Sequence, residues 1–388
     1  KKEWACHNMF RKFKADRIFN GDNFAPPHSV LITTAAGEII DLLPEALAGT
    51  DIEVLQGTLC PGFVNVHCHI ELSHMLNKIT MHTGLVDFVK GVMQKRAATT
   101  QQKWEAMAAA EKQLRESGTV AIGDICNTPD SIPLKRNSQL YWKNFIEITG
   151  FADAVAKKRM VDMQPVKSAF EEAGLPATFV PHAPYSVSKT LLGEIDAVTK
   201  NEIISIHNQE TGAENELFRS GTGAFIQFYH EMGIDISHFI PAGKSSFCSW
   251  LPFFNHQQTI IAVHNTFTSL QDIQGLTAAQ KEKIFFCICP NANLFIENTL
   301  PPIEMFLSEN MQLVMGTDSL ASNHTLNMYE EIKTLQKYFP GIEEEYILRW
   351  ATSGGASALG LSDQLGSFEK KKFPGLVILH NGESKRVI

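Results

Sequence analysis

A short buried strand that ends in two histidines is predicted by the stretch Pro61-Gly62-Phe63-Val64-Asn65-Val66-His67-Cys68-His69. Proline and glycine punctuate its start, and residues 63–66 supply the apolar run. Because side chains alternate between the two faces of a strand, His67 and His69 point the same way and Cys68 points the other way. Two imidazoles on one face at a strand end can bind one metal ion. Two surface histidines that lie close together by chance are the alternative.

The composition predicts one large α/β domain together with a smaller unit. The chain has 388 residues, of which 44% are hydrophobic, enough for a sizeable core. Its net charge of −8 provides no basic face for a nucleic-acid backbone, so no nucleic-acid partner is expected. No apolar run approaches the roughly 18 residues that cross a bilayer, so no membrane partner is expected either.

The cysteines predict a reducing compartment. Their number, seven, is odd, and the sequence contains no C-x-x-C pair, so neither a disulfide framework nor a zinc knuckle is supported. A cytoplasmic location fits this pattern. The seven are Cys6, Cys60, Cys68, Cys126, Cys248, Cys287 and Cys289.

Both ends of the chain contain short strand-like segments. Residues 13–19 alternate in polarity, residues 29–34 and 38–42 follow as candidate strands, and residues 375–379 form another apolar run. Neither end is long enough to bury a core alone. We therefore expect residues 1–56 and 363–388 to pair into a small composite β-sandwich domain, with the large domain formed by residues 57–362.

Eight apolar strand-like runs lie between these two ends, separated by helical patterns. The helical patterns cover residues 84–97, 104–116 and 327–338. Eight strands, each followed by a helix, are typical of a (β/α)8 TIM barrel, which is an α/β fold. A doubly wound open sheet is the structural alternative. The eight runs are 63–66, 120–125, 144–148, 177–180, 203–206, 259–263, 283–288 and 312–315.

Polar side chains follow several of these runs at the point where the strand ends. In barrels of this kind the active site lies at the carboxyl ends of the strands. A single histidine at such a place is often a loop or core residue, but joint placement indicates one common site. Beyond the first two histidines, the residues that directly follow a strand end are His182, His207, His264 and Asp318.

These motifs, in this order and spacing, resemble those of the amidohydrolase superfamily. The quoted segments are Pro61-Gly62-Phe63-Val64-Asn65-x-His67-x-His69, His182-Ala183-Pro184-Tyr185-Ser186, His207-x-x-Glu210, Val263-His264 and Gly316-Thr317-Asp318-Ser319. More narrowly, they are similar to its metal-dependent deaminase branch. That branch includes the adenosine, S-adenosylhomocysteine, aminofutalosine, guanine and cytosine deaminases and the triazine chlorohydrolases. The resemblance spans nearly the whole chain.

The resemblance implies a role for each matching position. His264 and Asp318 would orient a hydroxide generated at the metal and take its remaining proton. Glu210 would protonate the ring nitrogen next to the carbon under attack, as a general acid. A carboxylate that merely opens a helix is the alternative for Glu210. The residues that would hold one divalent metal ion are His67, His69, His207 and Asp318.

The residue at the end of the fourth strand indicates whether the site holds one metal ion or two. Many dinuclear members of the superfamily carry a lysine there that bridges two metals, whereas this chain has His182. The resemblance therefore implies a single metal, with His182 facing the substrate; a packing role is the alternative for that histidine. Imidazole and carboxylate ligands suit zinc, iron(II) and manganese(II), and zinc is the expected ion.

The resemblance implies a hydrolytic deaminase that replaces an exocyclic amino group on an adenine-type ring or nucleoside and releases ammonia. Two alternatives stay open: a related enzyme that displaces chloride or deaminates another heterocycle, and a non-catalytic metal-binding barrel. Glu71, Asp87 and Glu147 lie near strand ends or in the first loop, but solvated or capping carboxylates explain them equally well, so they are not assigned to the site. The expected partner is a small heterocyclic substrate, and a homodimer is left open.

Overall fold

The computed structural model describes residues 10–254 and 257–388, which have a mixed α/β architecture. Their strands lie in four sheets of four strands each. In chain order the strands are β1 (Phe10–Lys14), β2 (Arg17–Ile18), β3 (Ser29–Thr34), β4 (Ile39–Pro44), β5 (Glu53–Val54), β6 (Thr58–Pro61), β7 (Phe63–Cys68), β8 (Thr119–Cys126), β9 (Tyr141–Ile148), β10 (Ala177–Pro181), β11 (Ile203–Asn208), β12 (Thr259–His264), β13 (Ile284–Ile288), β14 (Gln312–Met315), β15 (Leu376–His380) and β16 (Glu383–Arg386).

Helices separate most of the strands after β7. Within the described residues, none of them is both long enough and apolar enough to cross a membrane. The helices are α1 (Glu45–Ala48), α2 (Leu85–Lys95), α3 (Thr100–Glu116), α4 (Ile132–Asn137), α5 (Ala156–Glu172), α6 (Lys189–Val198), α7 (Gly212–Ser220), α8 (Ala224–Glu231), α9 (Ser246–Trp250), α10 (Leu270–Gln274), α11 (Ala278–Lys281), α12 (Pro290–Glu297), α13 (Ile303–Ser308), α14 (Met328–Tyr338), α15 (Glu344–Ala351) and α16 (Ser353–Ala358). Short 3-10 turns lie at Ile70–Met75, Asp153–Val155, Pro184–Ser186 and Leu251–Phe253.

Two of the four sheets draw their strands from the ends of the chain. One sheet has the order β4-β3-β1-β5, and the other has the order β16-β15-β6-β2. In the second sheet β15 pairs antiparallel with β6, which sets Leu376 opposite Pro61. A buried apolar cluster joins strands of both sheets, with Phe13 and Leu31 from one and Leu59 from the other. The late part of the chain thus pairs with the segment that leads directly into β7.

Two glycines allow close packing at either end of β7. A Cβ atom on Gly62 would lie 2.3 Å from Cγ1 of Val120 and 2.6 Å from the carbonyl oxygen of Pro374. A Cβ atom on Gly316 would lie 2.8 Å from the carbonyl oxygen of His67. Real side-chain carbons do not come so close to backbone atoms, so each position requires glycine. Gly316 thereby lets the segment after β14 approach the histidine strand.

The other two sheets are entirely parallel and carry the predicted site residues. Their orders are β10-β9-β8-β7 and β11-β12-β13-β14. They meet at both borders: the amides of Thr317 and Asp318 each donate to the carbonyl oxygen of His67 at 3.1 Å, and the amide of His207 donates to that of His182 at 3.0 Å. Because both contacts lie at the carboxyl ends of strands, side chains that follow the strands of both sheets converge at one edge.

The parallel strands are buried on both faces, as expected for strands covered by helices. One apolar cluster contains alternate strand residues such as Val64, Phe145, Val263 and Val314. A second cluster joins the opposite face of the strands to the helices, for example Ile146 and Ile148 of β9 to Phe170 of α5. Both clusters consist of buried apolar residues, so they form a packed base under the polar residues at the strand ends.

All eight predicted strands are present as β7 to β14, which confirms the α/β class. The three predicted helices correspond to α2, α3 and α14. The helix predicted from residue 104 begins earlier, at Thr100, because Thr99 and Gln102 form a capping box one turn upstream. Capping depends on side-chain contacts with the backbone, which an apolar pattern alone does not reveal.

Candidate active site

Five of the predicted site residues lie together at the carboxyl ends of the parallel strands. They are buried, with relative exposures between 0% and 8%. The first lies within β7 and the second follows it, the third lies in β11, the fourth ends β12, and the last follows β14 after Gly316 and Thr317. In order these residues are His67, His69, His207, His264 and Asp318.

The ring nitrogens and the carboxylate converge on a common point. Nε2 of His69 lies 3.1 Å from Nε2 of His67 and 3.3 Å from Nε2 of His207. Oδ1 of Asp318 lies 3.4 Å from Nε2 of His67 and 3.3 Å from Nε2 of His69. A tetrahedral zinc site with bonds of about 2.0–2.1 Å has ligand-to-ligand distances of about 3.3–3.4 Å. The observed spacing fits such an ion.

The tautomer of His207 is set by a contact on its far side. Its Nδ1 lies 2.7 Å from the carbonyl oxygen of His182, an acceptor only, so Nδ1 donates. The lone pair of neutral His207 is therefore on Nε2, the atom that faces the other ligand candidates. Such a contact is the usual way in which a metal-binding histidine is oriented.

The charge states of these groups favour cation binding. Burial lowers the pKa of His69, and it lowers the pKa of His207 well below its ordinary value, with repulsion from His182 and the other histidines adding to the effect. Burial opposes ionisation of Asp318, but its hydrogen bond with His67 and the nearby histidines outweigh burial and hold its pKa well below the usual range. Neutral imidazoles and an ionised carboxylate are the forms that bind a metal.

Glu210 and His264 form a second pair beside the first. Oε1 of Glu210 lies 3.5 Å from Nε2 of His264. Burial, with the negative charges of Asp318 and Glu214, raises the pKa of Glu210 well above its ordinary value, which favours the protonated form of its carboxyl group. Burial lowers the pKa of His264 to about 3, so the imidazole is neutral. The pair combines a proton donor with a proton acceptor.

The backbone around this pair adopts a conformation that side chains disfavour. Gln209, His264, Asn265 and Asp318 have φ values of 45°, 74°, 58° and 55°. Such left-handed residues persist where surrounding contacts over-determine them, often at functional sites. Here the side-chain amide of Asn265 donates to the carbonyl oxygens of Ala262 and Cys287 at 2.8 and 3.1 Å.

Two further side chains hold the catalytic candidates in place. The carboxylate of Glu214 accepts hydrogen bonds from the backbone amides of Gln209 at 2.9 Å and Glu210 at 3.3 Å. The hydroxyl group of Ser322 donates to Oδ2 of Asp318. The backbone of Glu210 and the carboxylate of Asp318 are therefore fixed from behind.

One cavity of about 410 Å³ is lined by four of the five clustered residues, all except His67, and by Glu210. His182 lies in its wall, with Nδ1 at 2.7 Å from the hydroxyl oxygen of Ser186. One side of the cavity is apolar and is formed mainly by α2, while Arg96 and Arg159 contribute positive charge. The α2 residues that line it are Leu85, Phe88, Val89, Val92 and Met93.

Several polar residues of this cavity are not among the residues predicted from the sequence, and two of them are Asn127 and Glu147. Glu147 was set aside as a loop or capping carboxylate, but it lies inside β9 and is only 6% exposed. Strand alternation could have indicated that Glu147 is buried, because it shares a strand face with the core residue Phe145 two positions earlier. Glu71 lies behind the cavity and accepts two backbone amides, while Asp87 is exposed on α2.

Comparison with known proteins identifies the family. The sequence model of the family described as "Amidohydrolase family" matches residues 58–387 of the chain. The adenosine deaminase of Helicobacter pylori is 27% identical over 322 residues, which cover 81% of this chain and 76% of that protein.

Two solved structures share the fold. The aminofutalosine deaminase of Helicobacter pylori in complex with methylthio-coformycin matches with a TM-score of 0.81 and 20% identity, over 97% of this chain and 100% of that one. An adenosine deaminase from Xanthomonas campestris with bound zinc matches with a TM-score of 0.67 and 20% identity, over 94% of this chain and 83% of that one. The chain belongs to the amidohydrolase family and to its deaminase branch, and it is a hydrolase acting on C–N bonds, which confirms the family and the enzyme class predicted from the motifs.

Proposed function

We propose that the chain is a mononuclear metal-dependent deaminase that hydrolyses the exocyclic amino group of an adenine-type nucleoside. The observation that carries the proposal is the convergence of the Nε2 atoms of His67, His69 and His207 and Oδ1 of Asp318, beside the buried carboxyl group of Glu210. The adenine-type ring is favoured because the chain is similar to an adenosine deaminase and to an aminofutalosine deaminase.

Four residues would hold the metal ion: His67, His69, His207 and Asp318. Their nitrogens crowd one another at 3.1–3.3 Å, which an ion between them would relieve. When bound, the ion supplies Lewis-acid activation of a water molecule at neutral pH. Zinc is the proposed ion, with iron(II) and manganese(II) as alternatives, since the donor set suits all three.

The protein's own groups would move the protons. Glu210 donates its proton to the ring nitrogen adjacent to the amino-bearing carbon, which makes that carbon more electrophilic. His264 and Asp318 accept the proton that the attacking water gives up. The water oxygen forms a bond to the carbon, and His264 and Asp318 pass the first water proton to the amino nitrogen, so that the C–N bond breaks and ammonia leaves. The remaining hydroxyl proton returns to Glu210 as the carbonyl group forms, which restores the acid. The raised pKa of Glu210 supports its role as the acid. The lowered pKa of His264 means that its ring is neutral, with a lone pair available to the attacking water.

The remaining assignments complete the proposal. His182 would face the substrate ring from the fourth strand end. Residues 57–362 would close into a (β/α)8 barrel, which the hydrogen bonds from Thr317 to His67 and from His207 to His182 support. Residues 1–56 and 363–388 would form the composite β domain, and pairing of β15 with β6 supports it. A cytoplasmic location is proposed from the six unpaired cysteines of the described residues.

The test combines metal analysis with ammonia release. Purified protein should contain close to one divalent ion per chain by elemental analysis. It should release ammonia from adenosine and 5′-deoxyadenosine much faster than from guanosine, cytidine or a chlorinated triazine. Release of chloride from the triazine, without ammonia from any substrate, would show that the enzyme is a dechlorinase and not a deaminase. A metal-loaded protein that binds nucleosides and releases nothing would contradict catalysis.

A further inference from the structure

Glu147 is an incompletely paired carboxylate in the wall of the active-site cavity. It lies in β9 and is 6% exposed, so the side chain is more than nine-tenths buried. Its Oε2 accepts a hydrogen bond from Nδ2 of Asn127 at 2.9 Å. Its Oε1 has no hydrogen-bond partner among residues 10–254 and 257–388. A buried carboxylate oxygen without a donor is costly, so its natural partner is a donor that enters the cavity.

The orientation of this carboxylate is built into the fold. The backbone amides of Asn127 and Thr128 donate to the two carboxylate oxygens of Glu71 at 3.2 and 3.3 Å. Glu71 thus fixes the loop that follows β8, and that loop presents the Asn127 amide to Glu147. Asn127 and Glu147 both line the cavity, beside His182 and His207. The arrangement holds one carboxylate oxygen and leaves the other free to accept.

The contacts of the neighbouring histidines argue against a second metal ion at this place. Glu147, His182 and His207 each offer an atom within 4.8 Å of the others. However, Nδ1 of His207 already donates to the carbonyl oxygen of His182 at 2.7 Å, and Nδ1 of His182 lies 2.7 Å from the hydroxyl oxygen of Ser186. Nδ1 of His207 therefore has no lone pair to give, and Oε1 of Glu147 lies 3.9 Å from it, too far for a hydrogen bond.

The charges of the cavity select a neutral donor over a cation. Arg96 and Arg159 line the same cavity, and neither guanidinium forms an ion pair with any residue in the described part of the chain. A cationic substrate group would meet their repulsion. A hydroxyl group meets none and can donate to a carboxylate. Two vicinal hydroxyls suit a carboxylate best, because its two oxygens offer about four lone-pair positions and Asn127 uses one.

We infer that Glu147, oriented by Asn127, binds the vicinal 2′- and 3′-hydroxyls of a ribose ring. Glu147 is thus a specificity-determining residue that selects ribonucleosides over deoxynucleosides and over the free base. The inference rests on the proposed deamination of an adenine-type nucleoside and adds a sugar subsite to it. Glu210 and the metal ligands act on the ring, whereas Glu147 acts on the sugar.

The test pairs two protein variants with substrates that lack one hydroxyl. The kcat/KM for ammonia release is measured on adenosine, 2′-deoxyadenosine and 3′-deoxyadenosine with the metal-loaded wild type, Glu147→Gln and Glu147→Ala. The kcat/KM of the wild type should fall by about 10- to 100-fold when one hydroxyl is removed from the substrate, because this is the contribution of one hydrogen bond to a charged acceptor. Glu147→Ala should lose at least this factor in kcat/KM on adenosine, because both hydroxyl contacts are removed together. It should then treat all three substrates alike, because a contact that is already absent cannot be lost again.

The matched control is Asp87→Asn, which removes an exposed carboxylate on α2. It should keep the wild-type preference for the ribonucleoside. Asn127→Ala should weaken the preference, since Glu147 then loses its orientation. Equal wild-type rates on the three nucleosides would overturn the inference, as would a full ribose preference in Glu147→Ala. Should Glu147→Ala fail to fold, Glu147→Gln and the wild-type preference decide the outcome.

Failure of the sugar subsite can be separated from failure of deamination. A wild type that releases ammonia from no adenine nucleoside contradicts the proposed function. Calorimetric titration with inosine, 2′-deoxyinosine and 3′-deoxyinosine then judges the sugar subsite alone. Tighter binding of inosine that disappears in Glu147→Gln supports it, and equal affinities for the three ligands overturn it.

Discussion

Two buried charged clusters lie near the carboxyl ends of the strands, and they differ in how their charges are balanced. The first is the metal-binding candidate cluster of His67, His69, His207 and Asp318. The second, here called the lysine cluster, consists of Lys135, Asp124, Asn144 and Cys126. Nζ of Lys135 lies 2.5 Å from Oδ2 of Asp124, 2.8 Å from Oδ1 of Asn144 and 3.1 Å from Sγ of Cys126. Both side chains of its ion pair are 0% exposed.

The lysine cluster is complete within the protein, and the metal-binding candidate cluster is not. Burial alone would lower the pKa of Lys135, but the adjacent Asp124 and Cys126 outweigh burial and raise it, so the amine stays charged beside its counter-ion. In the other cluster, the Nε2 atoms of His67, His69 and His207 face one another at 3.1–3.3 Å, and Nε2 of His207 has a lone pair rather than a proton to offer, so these nitrogens do not satisfy one another. A buried polar group without a partner points to a missing ligand, whereas a satisfied one points to a structural role.

The two clusters are also connected. Oδ1 of Asp124 accepts the backbone amide of Ile70 at 2.8 Å, one residue beyond His69. The lysine cluster therefore fixes the chain directly after the histidine strand. The lysine cluster thus supports the metal-binding candidate cluster. The comparison predicts that mutations in the lysine cluster affect stability, whereas mutations in the metal-binding candidate cluster affect metal binding and rate.

The largest expected effect is that of His207→Ala. Loss of one nitrogen ligand should remove the metal and abolish detectable ammonia release, while the apolar clusters keep the protein folded. Elemental analysis, the rate and the circular dichroism spectrum are measured on one preparation. His230→Ala, at an exposed position of α8, is the control and should behave as wild type. Full metal occupancy in His207→Ala would contradict the ligand assignment.

The next effect is that of Glu210→Gln on the rate. The amide is close to isosteric but cannot donate or accept the catalytic proton. The rate of ammonia release should fall by roughly 10²–10⁴-fold, the usual worth of general acid–base catalysis, with metal content unchanged. A role limited to helix opening would cost about 1 kcal/mol of stability at most and leave turnover nearly intact. A rate within a few-fold of wild type, with metal retained, would refute the proton transfer.

The lysine cluster should respond in stability instead. Lys135→Met leaves Asp124 as a buried charge without a counter-ion, and such losses cost about 3–5 kcal/mol of unfolding free energy. Urea denaturation and metal analysis are the measurements. Adding Asp124→Asn should restore part of the loss, because the uncharged amide oxygen can still accept the Ile70 amide. Lys158→Met, which breaks an exposed pair with Asp162, should change stability little. An equal effect at both lysines would remove the distinction between the clusters.

The comparison also explains what the sequence could predict. His67, His207, His264 and Asp318 were found because each lies at or beside a strand end, and strand ends follow from apolar periodicity. The spacing of these residues along the chain was informative because all barrel strands present their carboxyl ends on one side. Every predicted metal-binding candidate therefore lies in the same buried cluster.

Other features depend on pairing across elements and were not predicted. Lys135 lies in the short helix α4, and only the packed structure brings its amine to Asp124 of β8 and Asn144 of β9. The orphaned oxygen of Glu147 depends on the contact with Asn127 from another strand end. No periodic pattern encodes such contacts, because the partners are fixed by tertiary packing and not by their distance along the chain.

Glu331 shares one property with each cluster: its oxygens have hydrogen-bond donors, but its charge has no counter-ion. It provides the last and smallest prediction. It is 0% exposed, and its carboxylate accepts the backbone amide of Asn291 at 2.9 Å and the side-chain amide of Asn323 at 2.7 Å. The same Asn323 amide donates to the carbonyl oxygen of Thr317, beside Asp318. Both of its carboxylate oxygens therefore accept a hydrogen bond, yet no cation balances its charge within residues 10–254 and 257–388.

Burial raises the pKa of Glu331 to about 8 from an ordinary value of 4.5, although both amide donors oppose the shift. The folded state therefore holds this proton more tightly than the unfolded state. The resulting stability is fully present below about pH 4.5 and is lost as the pH rises toward 8. Glu331→Gln has no such proton, so the melting temperature of the variant relative to wild type should rise between pH 5 and pH 8, by about 2–5 °C. Thermal melts of metal-loaded wild type and variant across this range give the difference directly. If the melting temperatures of wild type and variant changed with pH in parallel, ionisation of Glu331 would cost no folding free energy. The two amide donors would then be enough to stabilise a buried charge beside the site.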